Sequence, residues 1–206
     1  MKKILALVLC FSLLALAGCG AAPSSSEPSS SKSATGEIDN LAADGKVDGI
    51  EYGLGADIEE VKTYYENLAN EYATEHAGSD EHVHGDAEEY HYYNFEEGED
   101  FCTIDISKAR FYYETGKEDK GVAVIATDSE TFGFVPGETM KYEVEDAIKA
   151  EGDIFEATED ELRFLAVRTE PLIVLRYEFE DYQLEFYFYD NLLVTTVLID
   201  TNNWNI

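Results

Sequence analysis

Basic residues are scarce in this chain: 14 lysines and arginines stand against 44 aspartates and glutamates, for a formal charge of -30. That shortage excludes nucleic acid as a partner, since too little positive charge is present to neutralise phosphates. It also means that anionic lipid headgroups repel the protein, so no basic face can hold it on a membrane. Cysteine is scarcer still, with Cys10, Cys19 and Cys102 alone, and a disulfide framework is excluded. Catalytic signatures are missing as well. The sequence has no phosphate loop, no nucleophile elbow, no HExxH and no recognisable serine–histidine–aspartate set. Carboxylate pairs are too abundant to mark a hydrolase. The apolar run at 4–16 is too short, and too close to the start, to read as an ordinary membrane-spanning helix. What the chain does hold is aromatic, with 14 tyrosines and 11 phenylalanines, and this argues against general disorder despite the charge.

The first residues carry the densest signal. Met1-Lys2-Lys3 is a short positive lead, the apolar run follows, and it ends in Leu16-Ala17-Gly18-Cys19. Small residues before a cleavage point let a chain lie extended in a peptidase groove, and the cysteine offers a thiol that can carry diacylglycerol. This order resembles the lipobox signal of bacterial lipoproteins, a likeness confined to roughly the first twenty residues. The resemblance implies that 1–18 is a signal peptide and that Cys19 becomes the first residue and bears lipid, with palmitate-type chains. It places the protein on the extracytoplasmic face of the cell membrane. Several acyl chains would anchor it firmly where one would not. An ordinary secretory signal that contains a cysteine is the plainer alternative.

Serine-rich residues 19–36 have almost nothing apolar to bury and predict a flexible tether. Residues 37–206 are left as an acidic globular domain. With Cys10 in the signal and Cys19 lipidated, Cys102 has no partner for a disulfide and is expected as a buried small residue.

Within that domain, Ile58, Val61, Tyr65, Leu68 and Tyr72 form one helical stripe, predicting a helix over 58–73 with Asp57 as its N-cap. Strands are predicted at 101–106, 109–115 and 122–127, the last two joined by the turn 116–121. A second helix is expected at 141–151, with Val144, Ile148 and Ala147 inward. Strands at 164–169, 172–179, 182–189 and 192–199 follow, and the tight links Glu180-Asp181 and Asp190-Asn191 make the last ones a β-meander. Along 182–189, Leu184, Phe186 and Phe188 share one face, while Gln183, Glu185 and Tyr187 share the other. Tyr52-Gly53-Leu54-Gly55 and Phe132-Gly133-Phe134-Val135 each lead into a helix and then strands, a spacing of roughly eighty residues. The fold class expected is therefore α+β, with tandem helix-plus-antiparallel-sheet repeats at 50–130 and 131–206. This arrangement resembles beta-lactamase-inhibitor-like folds and the small outer-membrane-assembly lipoproteins, with no functional residue to carry over. Two unrelated α+β pieces are the competing reading.

Three features could carry chemistry. All four histidines, His76, His82, His84 and His91, fall in one acidic run with Asp80 and Asp86. Imidazoles and carboxylates are ligands that zinc selects, and a His-x-His pair can chelate one ion from an extended segment. The run resembles the histidine- and acid-rich loops of bacterial zinc-uptake lipoproteins, although a solvated loop has the same composition. Residues 40–51 resemble an EF-hand or dockerin calcium loop through Asn40, Asp44, Gly45, Asp48 and Glu51, but Ala42 stands where a carboxylate belongs. Tyrosines at 90, 92, 93, 112, 113, 187 and 189 suit sugar or protein binding if exposed, and a second covered face of a sheet if not. The functional expectation is a non-enzymatic binding module for a protein or cell-wall partner, with no cofactor. Zinc binding or scavenging through 75–91 is the alternative.

Overall fold

The computed structural model describes residues 42, 44–75, 92–148, 150–165 and 171–204, all within one compact unit spanning 33–206. Helix α1 covers Ile58–Glu75. The strands β1 Tyr93–Glu97, β2 Phe101–Ile106, β3 Arg110–Glu114 and β4 Val124–Thr127 follow. Next come α2 Lys141–Ala147, β5 Asp153–Glu156, the single turn α3 Glu159–Leu162, and β6 Ile173–Glu178, β7 Tyr182–Tyr189 and β8 Leu192–Asp200. The eight strands form one antiparallel sheet in the order β1-β2-β3-β4-β8-β7-β6-β5. Among the described residues, no helix is long and apolar enough to cross a membrane.

The expected α+β fold with tandem repeats at 50–130 and 131–206 is thereby corrected: the protein is predominantly β. The reason is the pairing of β4 with β8, Val124 opposite Ile199 and Thr127 opposite Thr196, which joins both runs of strands into one sheet. Neither stretch keeps a core of its own. Val61, Ile104 and Phe111 share one cluster with Val144, Leu184 and Phe186. Three strand positions also change. Residues 93–97 and 153–156 are short and rich in acid, too polar to announce themselves, yet both pair as edge strands, where charge blocks further pairing. Phe164 and Leu165, expected in a strand, follow α3 as a turn and bury against the sheet. Residues 166–170 lie outside the described residues.

Alternation along the strands gives the sheet two different faces. On face A, Cys102, Ile104, Phe111, Tyr113, Ile125, Leu175, Tyr177, Leu184, Phe186 and Leu198 meet α1, α2 and the loop 44–56. On face B, Tyr112, Val124, Ala126, Val174, Tyr187, Val197 and Ile199 meet Leu162, Phe164, Leu165 and Trp204. The predicted division of β7 is observed, with Phe186 opposite Thr196 and Tyr187 opposite Thr195. Asp190 and Asn191, at φ 49° and 68°, form the left-handed two-residue turn that matches hairpin twist.

Local chemistry fixes where α1 begins. Its Ile58 and Val61 are buried, and the Asp57 carboxylate accepts the Glu60 amide at 2.9 Å, as the sequence predicts. Ahead of it the chain is stapled to the start of β4 by Gly55 N–H to Val122 O at 2.7 Å and Val122 N–H to Ala56 O at 3.0 Å. That approach needs Gly121, at φ 74°, because a Cβ there would lie 2.6 Å from the carbonyl oxygens of Gly55 and Ala56.

Candidate functional site

The residues singled out from sequence divide sharply. Cys19 and the proposed metal ligands His76, Asp80, His82, His84, Asp86 and His91 lie outside the described residues, as does Tyr90. Among the described residues, no group of three or more histidine, cysteine, aspartate or glutamate side chains could hold a metal ion. The calcium-like loop has another use. The Asp48 carboxylate accepts the Phe132 N–H at 2.7 Å, and the Asp48 N–H donates to Thr131 Oγ1 at 3.0 Å. This reciprocal clamp holds Phe132 in its left-handed conformation, at φ 56°, and gives Asp48 a structural reason to be acidic. Cys102 is buried, as expected.

Tyr112, Tyr113 and Tyr187 are buried on the two faces of the sheet. Burial pushes the Tyr112 phenol up to about 12, and Tyr187 higher still through burial and Glu185. These are packing residues. Tyr92 is not: it stands 38 % exposed, as does Tyr64.

Those two rings flank a cleft of about 390 Å³, between α1 and the turn from β2 to β3. Its apolar lining comes from Ile50, Leu68 and Ile106, and its polar lining from Glu51, Ser107 and Lys108. The stripe of α1 explains the geometry. Tyr65 lies on the buried stripe and packs on Phe111 with ring centroids 5.6 Å apart, whereas Tyr64, one position away, projects beside it. Tyr52 completes an edge-on cluster, 5.4 Å from Tyr64 and 6.1 Å from Tyr65, while Tyr64 and Tyr65 are 5.0 Å apart. Edge-to-face packing of this kind holds rings in fixed orientations. Burial pushes Tyr65 up to about 12, against a hydrogen bond with the Glu51 backbone. Tyr52 is raised by burial, then by the Glu60 and Glu51 carboxylates. On the far rim the Ser107 hydroxyl accepts the Tyr92 amide at 2.7 Å, tying β1's approach to the turn. Rigid aromatic walls with a few polar groups are the usual make-up of a small binding site.

Beyond Tyr64 lies a second, shallower depression lined by Tyr52, Glu59, Glu60, Thr63 and Asn67. The Tyr64 ring is a wall common to both.

No family model, curated protein or solved structure matches this chain.

A second polar centre sits under the cover of face B. Glu185 is 1 % exposed and receives Arg176 Nε at 2.7 Å, Gln183 Nε2 at 2.7 Å and the Tyr187 hydroxyl at 2.5 Å. Arg176 also reaches Glu161 at 3.4 Å and lies over the Phe155 ring at 4.5 Å. Burial works upward on Glu161, but hydrogen bonds from Thr158 and its own backbone, with Arg176, hold it below the usual glutamate range. With its oxygens already occupied, Glu185 has the environment of a structural ion pair rather than a reactive acid. A smaller set joins Arg110 to both Asp128 oxygens at 3.0 and 2.9 Å, with Thr195 donating to Asp128 at 2.5 Å.

Sequence reasoning missed Tyr52 and Tyr64. The signal was present in part: Tyr64 falls off the apolar stripe that includes Tyr65, and a large ring off the stripe of a surface helix needs a reason.

Proposed function

We propose that this protein is a lipid-anchored, extracytoplasmic binding module, attached through Cys19, whose ligand seats in the cleft between α1 and the β2–β3 turn. One observation carries the site: two partly exposed tyrosines, Tyr64 and Tyr92, face a cleft of ligand size held by a packed aromatic cluster. The anchor rests on the lipobox resemblance and on a charge of -30 that would hold the domain off an anionic surface. A non-enzymatic role for a protein or cell-envelope ligand rests on the exposed rings that flank the cleft and on a sequence without a catalytic signature.

The anchor and the site are tested separately. Mass spectrometry of the mature protein should find a diacylglyceryl group on Cys19, and Cys19→Ala should move the protein from the membrane to the soluble fraction. An unmodified Cys19 on an internal peptide would refute the anchor. For the site, binding to isolated envelope fractions should fall about tenfold in a Tyr64→Ala/Tyr92→Ala variant, the scale of losing aromatic anchors. Unchanged binding would move the ligand elsewhere.

A further inference from the structure

The rings and carboxylates around Tyr64 point to the chemistry of the ligand. Among the described residues, three cations lie over aromatic rings, and each also meets a carboxylate. Lys62 Nζ is 4.1 Å from the Phe95 ring centre and 3.2 Å from Glu59. Arg176 lies 4.5 Å from the Phe155 ring and 2.7 Å from Glu185. Arg163 lies 5.6 Å from the Phe164 ring and 3.8 Å from Asp160. The ring supplies a negative face and the carboxylate a full charge, so the two together hold a cation better than either does. Tyr52, Tyr64 and Glu60 bring the same two ingredients together on the open side of α1. Tyr64 is 38 % exposed there, so its ring is accessible from solvent.

Charge decides among ligand classes. An anionic polymer would approach against -30. A neutral sugar would gain nothing from that field, whereas a basic segment would be steered by it. Resting on the reading of the cleft as a binding site, we propose that its ligand is a basic stretch of a partner protein. One lysine or arginine of that stretch seats against Tyr52, Tyr64 and Glu60. The residues beside it cross the Tyr64 ring into the cleft, where Lys108 and Glu51 offset one another and the rings suit a neutral neighbour.

The test uses the full chain in non-ionic detergent and three probes: a short fluorescent peptide alternating lysine and alanine, its glutamate counterpart, and neutral chitooligosaccharides. The lysine peptide should bind and the glutamate peptide should not. Tyr64→Ala and Glu60→Gln should each weaken the lysine peptide about tenfold. Glu180→Gln, which removes an equal charge at the β6–β7 turn, should change it less than about twofold, as expected of screened, distant charge. Glu60, Tyr64 and Glu180 are exposed, and an unchanged circular dichroism melt confirms that each variant folds. Equal losses in Glu60→Gln and Glu180→Gln would mean diffuse attraction and overturn the proposal. Tyr64-dependent binding of the oligosaccharide, with the lysine peptide silent, would overturn it while leaving the cleft as a binding site. Lysine-peptide binding indifferent to Tyr64→Ala and Tyr92→Ala would overturn both.

Discussion

The two faces of the sheet solve the problem of burial differently. Face A is dry: its strands offer Ile, Leu, Phe and two tyrosines to α1, α2 and a loop, and among the described residues no arginine enters it. Face B is covered by less, a single helical turn with Phe164, Leu165 and Trp204, and it buries Arg110, Glu114 and Glu185. Apolar burial is non-directional, so face A is free to carry a long helix whose outer rings project into solvent. Charged burial is directional: Arg110 is committed to Asp128, Glu114 to Lys117, and Glu185 to Arg176, Gln183 and Tyr187. The consequence is a separation of labour: the face that looks more chemical is the structural one, and the bland face supports the exposed rings.

Neighbouring residues on β7 give the strongest way to break this contrast. Phe186→Ala on face A should cost ~3–5 kcal/mol through a cavity, and Glu185→Ala on face B a similar ~3–5 kcal/mol by stranding the buried Tyr187 hydroxyl and leaving the half-buried Arg176 with Glu161 alone. Denaturant unfolding measures both. The two losses should then diverge: adding Arg176→Met to Glu185→Leu should restore most of the stability on face B, and no charge change should restore Phe186→Ala. Next in size is Asp48→Ala, which frees the Phe132 N–H and should cost ~1–3 kcal/mol by thermal melting. A melt unchanged by that substitution would show that the loop over face A needs no clamp.

Thr196 sharpens the contrast in the opposite direction. It is fully buried on face A, and its hydroxyl has no hydrogen-bond partner among the described residues. Thr196→Val should therefore stabilise the protein by ~1 kcal/mol, a gain that a truly dry face predicts. The smallest effects are those of pH on face B. Glu161 is held below its ordinary pKa, so its contribution is complete above the ordinary value and is lost as pH falls through the lowered one. Asp105 is raised, by burial first and then by Glu96 and Asp128 against Arg110. It favours folding in acid and opposes it as pH rises through the raised value. Melts across pH should show Glu161→Gln less stable than the parent near neutrality and level with it in acid. Asp105→Asn should be slightly more stable than the parent near neutrality, an advantage that disappears in acid.

Much of the middle scale was legible from residues alone. The Ile58–Val61–Tyr65 stripe and Asp57 cap placed α1, and alternation along 182–189 assigned both faces of β7. Two-residue turns marked the meander. What escaped was non-local. The pairing of Ile125 with Leu198 has no signature in either segment, and without it two runs of strands read as two repeats. Edge strands escaped because Glu96, Glu97, Asp153 and Glu156 make them look like loops. The cleft escaped because Tyr64 of α1 and Tyr92, just ahead of β1, come to flank it only once the sheet exists. The candidates that sequence did offer, four histidines and Cys19, rest on local composition and on the lipobox resemblance.

The β4–β8 pairing has a further consequence for how the sheet comes into being. The strand that occupies the centre of the sheet, β8, is the last of the eight in sequence. Until it arrives, β4 and β7 each present an open row of amides and carbonyls, the kind of edge that recruits foreign strands. A vectorially emerging chain would carry that exposed edge through most of its appearance, and its central closure would join Val124 to a residue as distant as Ile199. Such a late, long-range closure is slow. The repulsion among so many carboxylates, costly once the chain is compact, would be protective during that interval, keeping unfinished copies apart while the central seam is still unmade.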